Sequence, residues 1–208
     1  MASSQVVHVI DDDGDVRQSL AFLLSTAGLA VRVYESAVVF LKSLPQAQDG
    51  CIVTDIRMPE MDGLELQRKL NAEKNTMPVI VITGHGDVAL AVEAMKAGAV
   101  DFIEKPFDDE RLIGTIKSAL VRHEEDLERG SRAAEIRGRM ALLSERERQV
   151  LDGLVAGKAN KIIAYDLGIS ARTVEIYRAN VMTKMQADSL SSLVRMVLVH
   201  SASNSGLR

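Results

Sequence analysis

The sequence predicts an α/β doubly wound unit with a five-stranded parallel sheet of order 2-1-3-4-5, followed by an all-α unit of four short helices. Three observations lead there. Five short runs rich in β-branched residues, at 6–10, 30–33, 51–55, 79–83 and 100–104, alternate with amphipathic stretches. Near-continuous apolar strands separated by helices belong to a parallel sheet covered on both faces. From Leu142 onward the strand-like runs stop, and helical periods punctuated by capping residues and glycines take over.

The third observation is the division of charge. The chain has 208 residues, with 25 Lys and Arg against 29 Asp and Glu, a formal net charge of −4. Residues 1–122 hold 12 basic and 18 acidic groups, a balance of −6. Residues 123–139 (HEEDLERGSRAAEIRGR) carry −1, and residues 140–208, with 9 basic and 6 acidic groups, carry +3. An acidic front, a polar connector and a mildly basic back divide the chain at 1–122, 123–139 and 140–208. Glu and Arg at helical spacing make the connector a solvated helix, with Gly130 and Gly138 as points where it would bend.

Composition narrows the class further. Hydrophobic residues make up 47%, enough for packed cores. The single cysteine, Cys51, excludes a disulfide framework and a zinc ribbon, and its place at the start of a strand assigns it to the core. No apolar run approaches the roughly 18 residues of a membrane span, and Met1 to Gln5 lack a secretion signal. A soluble cytoplasmic protein without a membrane partner is expected.

Along the front half the elements read β1-α1-β2-α2-β3-α3-β4-α4-β5-α5. The helix DVALAVEAMKAG opens on Asp87 as cap and stops at Gly98; the last helix begins near Asp108. Ligands of open α/β sheets bind beyond the carboxyl ends of the strands. There the sequence places Asp11-Asp12-Asp13, Asp55, Thr83-Gly84-His85 and Glu104-Lys105-Pro106, on four strands that are neighbours in this order. Carboxylates gathered this way repel unless a cation intervenes, and hard oxygen ligands suit Mg²⁺. A carboxylate beside such a metal can attack a phosphoryl donor and form an aspartyl phosphate. Thr83 and Lys105 would supply a hydroxyl and a positive charge to the phosphoryl oxygens. Pro106 marks a constrained peptide bond that is a candidate for the cis form.

These residues carry a resemblance. The acidic pair after the first strand, the loop Asp-Ile-Arg-Met-Pro-Glu-Met-Asp-Gly, the Thr of the fourth strand and the Lys-Pro after the fifth resemble the receiver domain of two-component response regulators. The resemblance implies that Asp55 is the phosphoacceptor, and that Asp11, Asp12 and Asp55, with the backbone carbonyl of Arg57, hold Mg²⁺. It implies Thr83 and Phe102 as a switch pair and Lys105 as the phosphoryl-stabilising cation. Asp13 is expected at the pocket rim, and Arg57 and His85 where they would govern water access. By the same resemblance Val88, Ala91, Val92, Met95 and Lys96 form a face on which two phosphorylated receivers dimerise.

In the back half, Ser144 followed by Glu147 is a capping box opening a helix that ends near Gly157. Asn160 to Leu167 forms a second helix, stopped by Gly168. Ser170 caps a third running to about Met185, and Ser189 starts a fourth with Leu190, Leu193, Val194 and Val197 on one stripe. Helix, glycine turn, helix is the helix-turn-helix pattern. Phased at 100° per residue, Val174, Tyr177, Val181 and Met185 face the core. Arg172, Glu175, Ile176, Ala179 and Thr183 then lie on the opposite, DNA-reading face, with Thr173 in the first turn. Glu175 would accept from a cytosine amino group, and Ile176 or Ala179 would touch a thymine methyl. Lys158, Asn160, Lys161, Arg178 and Lys184 are the candidate phosphate contacts.

Leu-Ser-Glu-Arg-Glu, Gly-Lys-Ala-Asn-Lys-Ile-Ile-Ala and Ile-Ser-Ala-Arg-Thr-Val-Glu resemble the LuxR-type helix-turn-helix family, with Tyr177 standing where that family often has His. The whole chain thus resembles a NarL/FixJ-type response regulator, and the runs around Thr83 and Lys105 resemble its nitrogen-fixation branch. That implies a sensor histidine kinase, promoter DNA and RNA polymerase as partners, homodimerisation on phosphorylation, and no enzymatic activity beyond self-phosphorylation and slow autodephosphorylation. Two other readings fit the residues less well. A phosphohydrolase of the haloacid-dehalogenase type needs an acid two residues after its nucleophile, where this chain has Arg57. A constitutive DNA-binding protein with a degenerate front half would not need a complete acidic pocket.

Overall fold

The computed structural model describes residues 5–84 and 88–205, with side chains through His200. It forms two compact units that divide within one helix, between Asp126 and Leu127. The first unit holds β1 (Val6–Ile10), α1 (Gly14–Thr26), β2 (Ala30–Tyr34), α2 (Ala37–Ser43), β3 (Gly50–Asp55), α3 (Gly63–Ala72), β4 (Val79–Thr83), α4 (Val88–Lys96) and β5 (Asp101–Glu104). Helix α5 (Asp109–Ala141) begins there and ends in the second unit, which adds α6 (Glu145–Val155), α7 (Asn160–Leu167), α8 (Ala171–Met185) and α9 (Leu190–Ser205). Among the described residues no helix is long and apolar enough to cross a membrane.

The five strands pair in parallel in the order β2-β1-β3-β4-β5, as the sequence predicts. Strand alternation divides their side chains between two layers. Ile10, Ile52, Val79, Val81 and Phe102 pack on one face with Phe40, Leu66 and Leu70. Val7, Val9, Cys51, Val53, Ile80, Ile82 and Ile103 pack on the other with Leu20, Leu24, Leu112 and Ile116. Two covered faces leave the strand ends as the place where polar groups gather.

The second unit has its own core. Val174, Val181 and Met185 of α8 are fully buried, with Val150, Leu151, Leu154, Ile163 and Leu193 around them. Each buried aliphatic side chain there contributes about 1.5–3 kcal/mol. The capping box at Ser144 and Glu147 is present, with Glu147 N–H donating to Ser144 Oγ and Ser144 N–H to Glu147 Oε2. Gly168 terminates α7 in the left-handed conformation, φ +65°, which glycine adopts without a Cβ penalty. On α9, Leu193 is buried, while Leu190 is 38% exposed.

One expectation gives way. Gly130 and Gly138 lie inside α5 and do not break it. Ion pairs one turn apart, Glu128–Arg132 at 3.2 Å and Glu135–Arg139 at 2.6 Å, support the helix around them. The polar stretch is also less solvated than its composition implies. His123 is buried and bonds Asp49 through Nε2 at 2.8 Å, and Ala133 and Ile136 are buried, Ile136 in the second core.

His8 is a fully buried polar residue of β1. Its Nδ1 lies 3.1 Å from Tyr34 Oη and its Nε2 2.8 Å from the Gln48 carbonyl, beside the Phe40 ring. Burial holds its pKa below the ordinary imidazole value, the Gln48 bond opposing and nearby Arg32 reinforcing. The unfolded chain therefore takes up the proton first as pH falls, and stability falls with it. Urea midpoints should drop more steeply from about pH 7 to about pH 5 in the natural protein than in His8→Asn, the other titrations cancelling in the comparison.

Candidate functional site

At the carboxyl ends of β1, β3 and β5, a single ammonium joins two carboxylates. Lys105 Nζ donates to Asp11 Oδ2 at 2.9 Å and to Asp55 Oδ1 at 3.0 Å. Asp11 and Asp55 are both buried. The backbone fixes the remaining oxygens: Arg57 N–H donates to Asp55 Oδ2 at 2.6 Å, and Asp13 N–H to Asp11 Oδ1 at 2.9 Å. Arg17 Nη1 reaches back from α1 to the Asp11 carbonyl at 2.6 Å. Thr83 is buried at the end of β4, and its carbonyl accepts from Lys105 N–H at 2.7 Å, which ties the Lys105 backbone to the neighbouring strand. The Lys105–Pro106 peptide is cis.

Burial pushes the Asp55 carboxyl above the ordinary carboxylate range, and nearby Asp11 adds to the rise. The Lys105 ammonium and the Arg57 N–H act the other way. For Lys105, burial works against the charge, but the two carboxylates outweigh it and hold the ammonium above its usual pKa. Two carboxylates sharing one cation leave the pocket an excess negative charge.

Among the described residues no three His, Cys, Asp or Glu side chains group closely enough to hold a metal. Asp11 and Asp55 converge, but Lys105 lies between them, and the Asp12 side chain is exposed. The donor set still fits Mg²⁺, which commonly takes one or two carboxylates and keeps several waters. Asp13 caps α1, its Oδ1 accepting from Asp15 and Val16 N–H. Phe102 is half-buried against the core face shared by Leu64 and Phe40. His85 and Asp87, the latter expected from the sequence as a helix cap, lie outside the described residues.

The second unit presents the surface the helix phase predicts. Arg172, Glu175, Ile176, Ala179 and Thr183 are exposed on α8, while Val174, Val181 and Met185 are buried. Thr173 is half-buried, its N–H and Oγ1 engaged by the capping Ser170. Lys158, Asn160, Lys161, Glu175 and Arg178 line one cleft between the α6–α7 turn and α8. Lys158 also pairs with Asp166 at 2.7 Å. Lys184 faces inward: Nζ lies 2.7 Å from Glu147 Oε2 and 3.2 Å from the Leu142 carbonyl, completing the α6 cap. That contact, then the Ser144 N–H, holds the Glu147 carboxyl below its ordinary pKa.

Residues 7–117 match the response regulator receiver domain, and residues 141–197 match the bacterial regulatory proteins of the luxR family. The transcriptional regulatory protein FixJ of Azorhizobium caulinodans is 59% identical over 96% of this chain and 94% of its own. FixJ of Bradyrhizobium diazoefficiens is 52% identical over 95% and 97%. The crystal structure of full-length FixJ from B. japonicum is similar at 51% identity and a TM-score of 0.62, covering 97% of this chain and 99% of that one.

The chain belongs to the LuxR-type response regulators.

In this regulator the five residues read as a dimer face lie together on α4. Val88, Val92, Met95 and Lys96 are exposed and Ala91 is half-buried, so none is core. Sequence reasoning missed a larger apolar feature beside the pocket. A cleft of about 810 Å³ runs from Lys105 and Phe107 across to Leu20, Phe22 and Leu23 of α1. Phe22 is 76% exposed at its edge. The signal was available in the helical phase: Leu20 and Leu24 stack on one face, which sends Phe22 to the other.

Gly63, the first residue of α3, lies where a Cβ would come within 2.3 Å of the Asp55 carbonyl oxygen. The following helix therefore packs directly on the backbone of the phosphoacceptor candidate. Gly63→Ala should lower the unfolding free energy by about 1–3 kcal/mol, measured by urea denaturation at neutral pH.

Proposed function

We propose that this response regulator is a phosphorylation-controlled transcription activator whose switch is Asp55. The observation that carries the reading is the Lys105 ammonium, 3.0 Å from a buried Asp55 carboxylate at the strand ends. The Asp55 carboxylate attacks the phosphorus of a phosphohistidine on a partner kinase. A P–O bond forms, the P–N bond breaks, and the histidine leaves with the electron pair. Burial favours the attack by leaving the carboxylate poorly solvated and more basic than an exposed one. Lys105 then pairs with the phosphoryl oxygens, and the Thr83 hydroxyl donates to one of them. Asp11 and Asp55, with Asp12 at the mouth and the Arg57 carbonyl, are the groups that would hold Mg²⁺. The bound ion would supply positive charge that offsets the anionic donor and acceptor.

With Thr83 drawn toward the phosphoryl group, Phe102 moves inward and the α4–β5 surface changes. Two receivers then associate through Val88, Ala91, Val92, Met95 and Lys96. Dimerisation brings two helix-turn-helix units to paired half-sites about one helical turn apart. There Arg172, Thr173, Glu175, Ile176, Ala179 and Thr183 face base edges, and Lys158, Asn160, Lys161 and Arg178 face phosphates; Lys184, held at the α6 cap, is left out. The bound dimer recruits RNA polymerase in the cytoplasm. The likeness to FixJ proteins supports nitrogen-fixation genes as the targets.

Moving a two-state receiver from 1:99 to 99:1 takes about 5.5 kcal/mol of differential stabilisation. Acetyl phosphate with Mg²⁺ should therefore convert the natural protein from monomer to dimer in size-exclusion chromatography with light scattering, and Asp55→Asn should remain a monomer. Dimerisation of Asp55→Asn under the same conditions would overturn the mechanism.

A further inference from the structure

The C-terminal end of α8 is held by residues from outside the helix-turn-helix. Met185 is the last helical residue, and Gln186 follows in the left-handed conformation, φ +53°, its N–H reaching the Met182 and Thr183 carbonyls. A carbonyl at the Met185 position has no partner inside its own helix. Arg139, near the end of α5, supplies one: its Nη1 donates to the Met185 carbonyl at 3.0 Å. The other arm of the guanidinium is fixed by Glu135, with Nη2 to Oε1 at 2.6 Å. The side chain is only 19% exposed, so the contact is partly withdrawn from water. Its positive charge also sits at the negative end of the α8 dipole.

A second contact reinforces the first. Lys184, one residue earlier on α8, reaches the Leu142 carbonyl and Glu147. The corner from Arg139 to Glu147 thus grips the last turn of α8 at two adjacent residues. Beneath it Ile136 and Met140 of α5 pack in the same core as Val181 and Met185. The outer face of α8, with Arg172, Glu175 and Ile176, is free of this corner and points elsewhere on the helix.

We propose that Arg139 is a positioning residue for DNA reading, setting through the Met185 carbonyl the pose in which α8 presents Arg172, Glu175 and Ile176 to base edges. This makes the end of α5 part of the reading apparatus, although Arg139 itself touches no base. The inference rests on the reading of α8 as the recognition helix.

The test uses the full-length chain with acetyl phosphate and Mg²⁺ present. The probes are a duplex selected from a random-sequence pool by the natural protein and a shuffled duplex of equal composition. Arg139→Gln should weaken the selected duplex about tenfold, the scale of one lost charge-assisted hydrogen bond. Affinity for the shuffled duplex and the salt dependence should stay unchanged, because no phosphate contact is removed. Arg139→Lys should recover part of the loss, keeping the charge at the helix end but not the guanidinium fork. Circular dichroism checks folding. If Arg139→Gln does not fold, Arg139→Lys carries the same comparison with a loss of about threefold.

An unchanged ratio between the two duplexes would overturn the inference. So would equal weakening of both with a shallower salt slope, which would make Arg139 a phosphate contact. Glu175→Ala separates this inference from its premise. If that variant leaves the ratio unchanged, the reading of α8 fails. If it changes the ratio while the Arg139 variants do not, only the positioning role fails.

Discussion

Two buried carboxylates on neighbouring strands repel each other, and the first unit tolerates them because Lys105 stands between them. Its ammonium bonds both at about 3 Å, and its backbone N–H is fixed to the Thr83 carbonyl. Removing the ammonium from such a buried set leaves two uncompensated carboxylates, at a cost of about 3–5 kcal/mol. The arrangement is therefore both a stability feature and a chemical one. The sheet brings the groups together, the cation offsets their charge, and burial keeps the acceptor poorly solvated. A phosphoryl group arriving at Asp55 enters a network that already contains its counter-charge.

The fold was largely legible because the periods are clean. Strand runs such as VVHVI and VIVIT are buried on both sides, and their alternate residues sort into two layers, as a parallel sheet requires. Capping residues located the helix ends of the second unit, with α7 at Asn160–Leu167 and Ser170 before α8. The pocket was legible too, since Asp11, Asp55, Thr83 and Lys105 all fall at strand ends. The misreadings have a common cause. Lys184 paired with Glu147 and His123 buried against Asp49 are both tertiary pairings between residues far apart in sequence. Composition marks such groups as surface residues; only the fold shows which have found partners. The polar appearance of residues 123–139 misled in the same way, because a few side chains such as Ile136 decide which core a helix joins.

The basic excess of the back half also changes meaning. Lys184, near the end of α8, is engaged with Glu147, and Lys158 is shared with Asp166. Less positive charge is available to attract a nucleic acid backbone than the count implies. Lys161 and Arg178 line one cleft with Glu175, at the rim of the reading face. Part of the cationic content thus shapes the reader and part meets the phosphates.

Helix α5 belongs to two cores: Leu112 and Ile116 are buried in the first unit and Ile136 in the second. Starting a helix is the costly step, while extending one is nearly free. Whichever unit folds first therefore hands the other a helix already begun. Opening need not follow the same order, for residues 124–132, exposed between buried His123 and buried Ala133, are anchored by neither core. Hydrogen exchange along α5 should then be fastest near its middle instead of at an end. A continuous helix in the structure would behave in time as two helices sharing a soft joint.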